Sequence, residues 1–195
     1  MRPSPAYRPE STKGCWGDAL SVRNIYVQPE KCVGCLRCVR ACAAVERRGI
    51  ESPQARLFIH RHSDYGQVVP HLCFQCAAAM CLERCPSGAM FRDDNGVVKI
   101  DLELCVVCGR CVSSCPYGMV ELDSTLRPYK CDGCDGDPAC VKVCPTQALV
   151  FGTVNPWLVD LREKQMRQRS AQGSPSMKRD RLGYALIVEV QGESG

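Results

Sequence analysis

The chain has 195 residues, 17 of them cysteine, a formal net charge of +4 and 45% hydrophobic residues. That length excludes a large catalytic barrel or a doubly wound domain with a substrate domain beside it, and that hydrophobic content excludes a disordered charged tail. No apolar run approaches the ~18 residues of a membrane span, and the start, MRPSPAYRPESTKG, shows neither an apolar export core nor twin arginines, so a cytoplasmic location is expected.

Residues 1–21 form an N-terminal segment whose Cys15, in Lys13-Gly14-Cys15-Trp16-Gly17, reads as a partly buried free thiol. Asn24-Ile25-Tyr26-Val27 reads as a short strand. The first cysteine group follows: Cys32, Cys35, Cys38 and Cys42, spaced C-x2-C-x2-C-x3-C. Residues 43–72 carry Arg47, Arg48, Arg56, Arg61, His60, His62 and His71 and read as a solvated hairpin, with His71 at the surface.

The second group, Cys73, Cys76, Cys81 and Cys85, has the spacing C-x2-C-x4-C-x3-C. Val97-Val98-Lys99-Ile100 reads as a strand before the third group, Cys105, Cys108, Cys111 and Cys115, which repeats the spacing of the first. Residues 119–122 read as the next strand. The fourth group, Cys131, Cys134, Cys140 and Cys144, is spaced C-x2-C-x5-C-x3-C, and a strand is expected over 148–151. Three groups end in Cys-Pro; the first has Ala43 after Cys42. Proline suits an early helical position, so a helical turn or two is expected after each fourth cysteine.

Beyond the cysteine groups, Pro156, Leu158, Leu161 and Met166 suggest a helix over 156–172. Gly173-Ser174-Pro175-Ser176 reads as a break, and 184–190 as a strand. Residues 156–195 read as an arm for a partner or for a second copy of the chain.

Sixteen cysteines thus recur as an internal repeat. A disulfide scaffold is disfavoured by the odd cysteine count, the absence of an export signal and the periodic spacing. Structural zinc takes two separated C-x2-C knuckles, in which a third cysteine is surplus. Three thiols at i, i+3 and i+6 can wrap three corners of a [4Fe–4S] cube, and the fourth then faces a different cluster. All sixteen positions are cysteine, which predicts four [4Fe–4S] clusters and no [3Fe–4S] variant. Each such cluster with its thiolates carries about −2, which turns the formal charge to about −4 and removes the argument for nucleic acid. Residues 162–181, with seven Lys or Arg against two acids, remain basic. No phosphate loop, HExxH or Gly-x-Ser-x-Gly is present, so no catalytic residue is assigned.

With these motifs, and NIYVQPEKCVGCLRCVRAC as its opening, the chain resembles the four-cluster ferredoxin-type electron-transfer subunits over roughly residues 22–155. The resemblance implies an α+β fold of two nested bacterial-ferredoxin-like 2[4Fe–4S] modules plus a C-terminal helix/strand extension. The outer module takes 22–60 with 124–155, and the inner module 61–123. It implies the ligand sets Cys32, Cys35, Cys38 with Cys144; Cys131, Cys134, Cys140 with Cys42; Cys73, Cys76, Cys81 with Cys115; and Cys105, Cys108, Cys111 with Cys85. Spacing alone leaves neighbouring pairings of the groups equally open. The resemblance further implies a non-catalytic relay between a catalytic subunit and a second redox partner such as a flavoprotein. That catalytic subunit would be a tungsten or molybdenum pterin aldehyde oxidoreductase or formate dehydrogenase, or a carbon monoxide dehydrogenase. Stacking into a filament is one version; an assembly or structural accessory of a hydrogenase or formate pathway is the alternative.

Overall fold

The computed structural model describes residues 23–46, 54–62, 66–76, 78–153 and 173–192. Cys15 and the helix expected over 156–172 lie outside the described residues.

Four short antiparallel ribbons organise the cysteine loops. β1 (Arg23–Val27) pairs with β8 (Leu149–Thr153), with Arg23 opposite Thr153 and Val27 opposite Leu149. β2 (Phe58–His62) pairs with β3 (Gln67–His71), β4 (Met90–Arg92) with β5 (Val98–Ile100), and β6 (Glu121–Leu122) with β7 (Pro128–Tyr129). Ribbons this short are marginal alone; each is held by what its cysteine loop packs against. The strand expected over 119–122 is trimmed to two residues because Tyr117, Met119 and Val120 turn into the core.

Helices α1 (Arg37–Glu46), α2 (Met80–Glu83), α3 (Arg110–Ser114) and α4 (Ala139–Lys142) each contain the third cysteine of a group. This reverses the expected role of Cys-Pro. The helix precedes the fourth cysteine, and the proline ends it; residues 86–88, 116–117 and 145–146 are turns. A residue before proline is pushed out of the α region by the ring, and Cys115 accordingly has ψ 113°. Group one shows the converse. Ala43 imposes no such limit, and α1 runs through Cys42 for 10 residues, against 4 or 5 in the others.

α1 packs on α4, and α2 on α3. Two apolar cores result. One gathers Ile25, Leu57, Leu72 and Leu149 with Cys38, Cys42, Cys131 and Cys140. The other gathers Met90, Val98, Tyr117, Met119 and Leu182 with Cys111 and Cys115.

The C-terminal strand is not formed. Residues 184–190 continue a single helix, α5 (Pro175–Gly192). Ser174 accepts a hydrogen bond from the Met177 N–H at 3.3 Å, and Pro175 opens the helix as a first residue rather than breaking the chain. α5 packs against β2 and β3 of its own chain. The expected solvated hairpin is therefore covered. Val69 and His71 are 0% and 1% exposed, so His71 is a core residue rather than a surface one.

Candidate metal centre

In every cysteine group the residue just before the second cysteine has a left-handed backbone: Gly34 at φ 66°, Gln75 at 50°, Val107 at 54° and Gly133 at 74°. This curl winds the loop so that successive thiols turn inward. Glycine adopts it without penalty, whereas a β-branched residue such as Val107 is strained there.

The loops face one another in pairs. One hollow is lined by Cys73, Cys76 and Cys81 of group two together with Cys115 of group three. A second is lined by Cys105, Cys108 and Cys111 of group three together with Cys85 of group two. Each fourth cysteine thus sits with the other group's first three, and the walls around them are apolar. Groups one and four show the same exchange through their electrostatics. Cys32 and Cys38 both feel the charge of Cys144, while Cys140 feels those of Cys42 and Cys134.

The donor chemistry fits iron–sulfur. Both hollows offer thiols and no His, Asp or Glu. Among the described residues no three His, Cys, Asp or Glu side chains converge tightly enough for a single ion, whereas a cube spreads its ligands wider than tetrahedral zinc does. Burial pushes Cys81 and Cys140 up to about 12 and Cys111 to about 11. Burial also raises Cys131 and Cys115. Cys85 and Cys144 go the other way. Burial raises each thiol, but backbone N–H groups outweigh it, aided by the Ser87 and Thr146 hydroxyls two residues on. Backbone N–H groups also donate to Sγ of Cys42 (from Arg56, 3.2 Å), Cys85 (from Met90, 3.4 Å) and Cys115 (from Met119, 3.3 Å). Such bonds stabilise a thiolate and tune a cluster it holds.

Several residues that sequence reasoning passed over tie the groups together. Asn24 donates to the Phe74 carbonyl at 2.7 Å. Gln75 donates to the Cys131 carbonyl at 2.9 Å and accepts from the Val98 N–H at 2.9 Å. Lys130, 2% exposed, donates to the carbonyls of Cys131 and Val98. From α5, Lys178 donates to the Ser113 and Cys115 carbonyls at 2.8 and 2.9 Å. Arg179 donates to the Gly118 carbonyl at 2.6 Å, pairs with Glu121 at 2.5 Å and lies 3.8 Å over the Phe58 ring. No sequence signal set these apart: Lys178 and Arg179 lie in the charged run Lys178-Arg179-Asp180-Arg181, and Lys130 has only its place before Cys131 to mark it. Gly118 permits the approach of α5, since a Cβ there would collide with the Pro175 carbonyl oxygen.

Cys35 and Cys108, each a second cysteine, are the exposed members among the sixteen. Val33 and Leu36 are exposed beside Cys35, and Val106 and Val107 beside Cys108. An open groove lined by Arg37, Arg40, Lys142 and Cys144 runs between α1 and α4.

Paired cysteine-only loops on short ribbons define a ferredoxin-type iron–sulfur protein. A family described as 4Fe-4S dicluster domain matches residues 65–154, and a 4Fe-4S binding domain matches residues 29–45. The chain is 32% identical over 169 residues to the thiosulfate reductase electron transfer subunit PhsB of Salmonella typhi, covering 77% of this chain and 88% of that one. It is 32% identical over 162 residues to a ferredoxin of Methanocaldococcus jannaschii, covering 83% and 91%. It is 35% identical over 141 residues to the protein NrfC of Escherichia coli, covering 64% and 62%. The chain belongs to the family of 4Fe–4S ferredoxin-type proteins.

Proposed function

We propose that the chain is the electron-transfer subunit of a reductase or dehydrogenase complex, built as two nested modules that hold four [4Fe–4S] clusters. The ligand sets are Cys32, Cys35, Cys38 and Cys144; Cys131, Cys134, Cys140 and Cys42; Cys73, Cys76, Cys81 and Cys115; and Cys105, Cys108, Cys111 and Cys85. The observation that carries this reading is the pair of hollows, each lined by three cysteines of one group and the fourth of the other. The β1–β8 ribbon, which closes group one onto group four, supports the same exchange in the outer pair.

Bound clusters supply one-electron transfer without open coordination sites. The chain's residues do the rest. Left-handed residues aim the thiols, apolar walls keep water out, and backbone N–H groups stabilise thiolate charge. Exposed Cys35 and Cys108 mark the two points of closest approach for partners. The name of the Salmonella relative supports a catalytic reductase as one partner, and a flavoprotein or other redox subunit takes the second position. The described part of the C-terminal extension packs on β2 and β3 of its own chain.

Elemental analysis of anaerobically purified native complex tests the reading. Sixteen iron per chain and no stoichiometric zinc are expected. Tungsten or molybdenum in the same peak would identify a pterin enzyme as partner, and nickel a carbon monoxide dehydrogenase or hydrogenase. Clusters that never cycle between redox states in titration would favour an assembly role instead.

A further inference from the structure

Resting on the four-cluster reading, we propose that Lys130 and Lys178 make the cluster of Cys73, Cys76, Cys81 and Cys115 the electron-holding site of the relay. α5 is the element that brings the second of these charges.

Three cations are buried among the described residues: Lys130, Lys178 and Arg179, at 2%, 3% and 5% exposure. Arg179 is neutralised by Glu121. The two lysines have no carboxylate partner among the described residues. Each instead donates to backbone carbonyls, and in each case one carbonyl belongs to a cysteine: Cys131 for Lys130, and Cys115 for Lys178. An ammonium buried against carbonyls alone is costly, so its countercharge must come from elsewhere. The anions within reach are the cysteine thiolates. Lys130 also donates to the Val98 carbonyl, and Lys178 to the Ser113 carbonyl.

Val98 and Cys115, whose carbonyls take these two charges, line the same hollow of Cys73, Cys76, Cys81 and Cys115. Both uncompensated buried charges therefore converge on one cluster, and Lys130 also touches the set containing Cys131. A desolvated cation near a cluster favours its reduced form, because the added electron meets little screening. The cations beside Cys144 are Arg37, Arg40 and Lys142; all are exposed, so water and salt weaken them. The favoured site is thus neither of the two sets that reach the surface at Cys35 and Cys108. An arriving electron settles there before it leaves.

This assigns a role to the C-terminal helix, which supplies no cysteine. Ser174 and Pro175 start it, Gly118 lets it approach, and Arg179 fixes its rotation, so that Lys178 arrives one residue earlier on the Cys115 carbonyl.

The test is an anaerobic redox titration of the full-length holoprotein followed by electron paramagnetic resonance. In the native protein one cluster should reduce first. Lys178→Met should shift that cluster alone to more negative potential, lowering its reduced-to-oxidised ratio at the native midpoint roughly tenfold. Lys130→Met should shift the same cluster and one more. Lys178→Arg should restore the native order. Lys178 lies outside the cysteine loops, so its variants carry the test even if Lys130→Met loses iron. The proposal is overturned if Lys178→Met retains sixteen iron with every potential unchanged, or shifts a cluster that is not the first to reduce. Fewer than sixteen iron in the native protein would instead overturn the four-cluster reading beneath it.

Discussion

The outer and inner halves use the same cysteine loop but secure it differently. The outer half is closed by the five-residue β1–β8 ribbon and the long helix α1, and its cations Arg37, Arg40 and Lys142 face solvent. The inner half has shorter helices, α2 and α3, a three-residue β4–β5 ribbon and strand β3. It is clamped by α5, whose Lys178 and Arg179 are buried. One half spends sequence on regular structure, the other on a docked helix. The difference also separates two uses of positive charge: exposed charge governs who approaches, and buried charge governs where the electron rests.

Removing iron should abolish this contrast altogether. Cysteines line part of both cores, and thiols pushed up to about 11–12 by burial become neutral once the metal leaves. Chelation under anaerobic conditions should unfold both halves together, read as loss of far-ultraviolet circular dichroism. Retention of one half would show that its ribbons or helix suffice alone.

Ala43→Pro would give group one the ending of the other three. It cuts α1 at Cys42 and should lower stability by about 3 kcal/mol, measured by denaturant titration of the holoprotein. No change would mean that the extra turns of α1 do not hold the outer half.

Gly118→Ala attacks the inner clamp. The residue sits at φ 67°, and its new Cβ would meet the Pro175 carbonyl. A loss of about 2 kcal/mol is expected, with faster proteolysis within α5 and unchanged cleavage elsewhere. Equal protection of α5 would show that the clamp tolerates the displacement.

The smallest effect on stability belongs to Arg37→Glu with Arg40→Glu, both exposed: within about 0.5 kcal/mol. Their effect should lie in encounter. Oxidation of the reduced protein by ferricyanide should slow about threefold or more and lose its salt dependence. An unaltered rate would place electron exit at the Cys108 end.

The cysteine repeat made the candidate site legible from sequence, because soft thiols at i, i+3 and i+6 leave few chemical alternatives. The strands at Asn24-Ile25-Tyr26-Val27 and before Cys105 were legible for the same local reason, β-branched residues between turn formers. The helices were read on the wrong side of the fourth cysteine. Proline is compatible with starting a helix and with ending one, and only the neighbouring loop decides. The C-terminal strand failed because 184–190 is apolar without a partner strand, while Ser174 and Pro175, read as a break, begin a helix.

Sequence by itself determined the donor set, the fourfold repeat and the soft-metal chemistry, since these are properties of residue type and spacing along one chain. Tertiary structure decided that Cys115 lines the hollow of Cys73, Cys76 and Cys81 and Cys85 that of Cys105, Cys108 and Cys111, that His71 is buried, and that Lys130 and Lys178 lie against cysteine carbonyls. Those facts depend on contacts between residues tens of positions apart, such as Lys178 with Cys115 or Gln75 with Cys131. No local pattern encodes them, because a buried lysine and a solvated one look the same until the chain has closed around them.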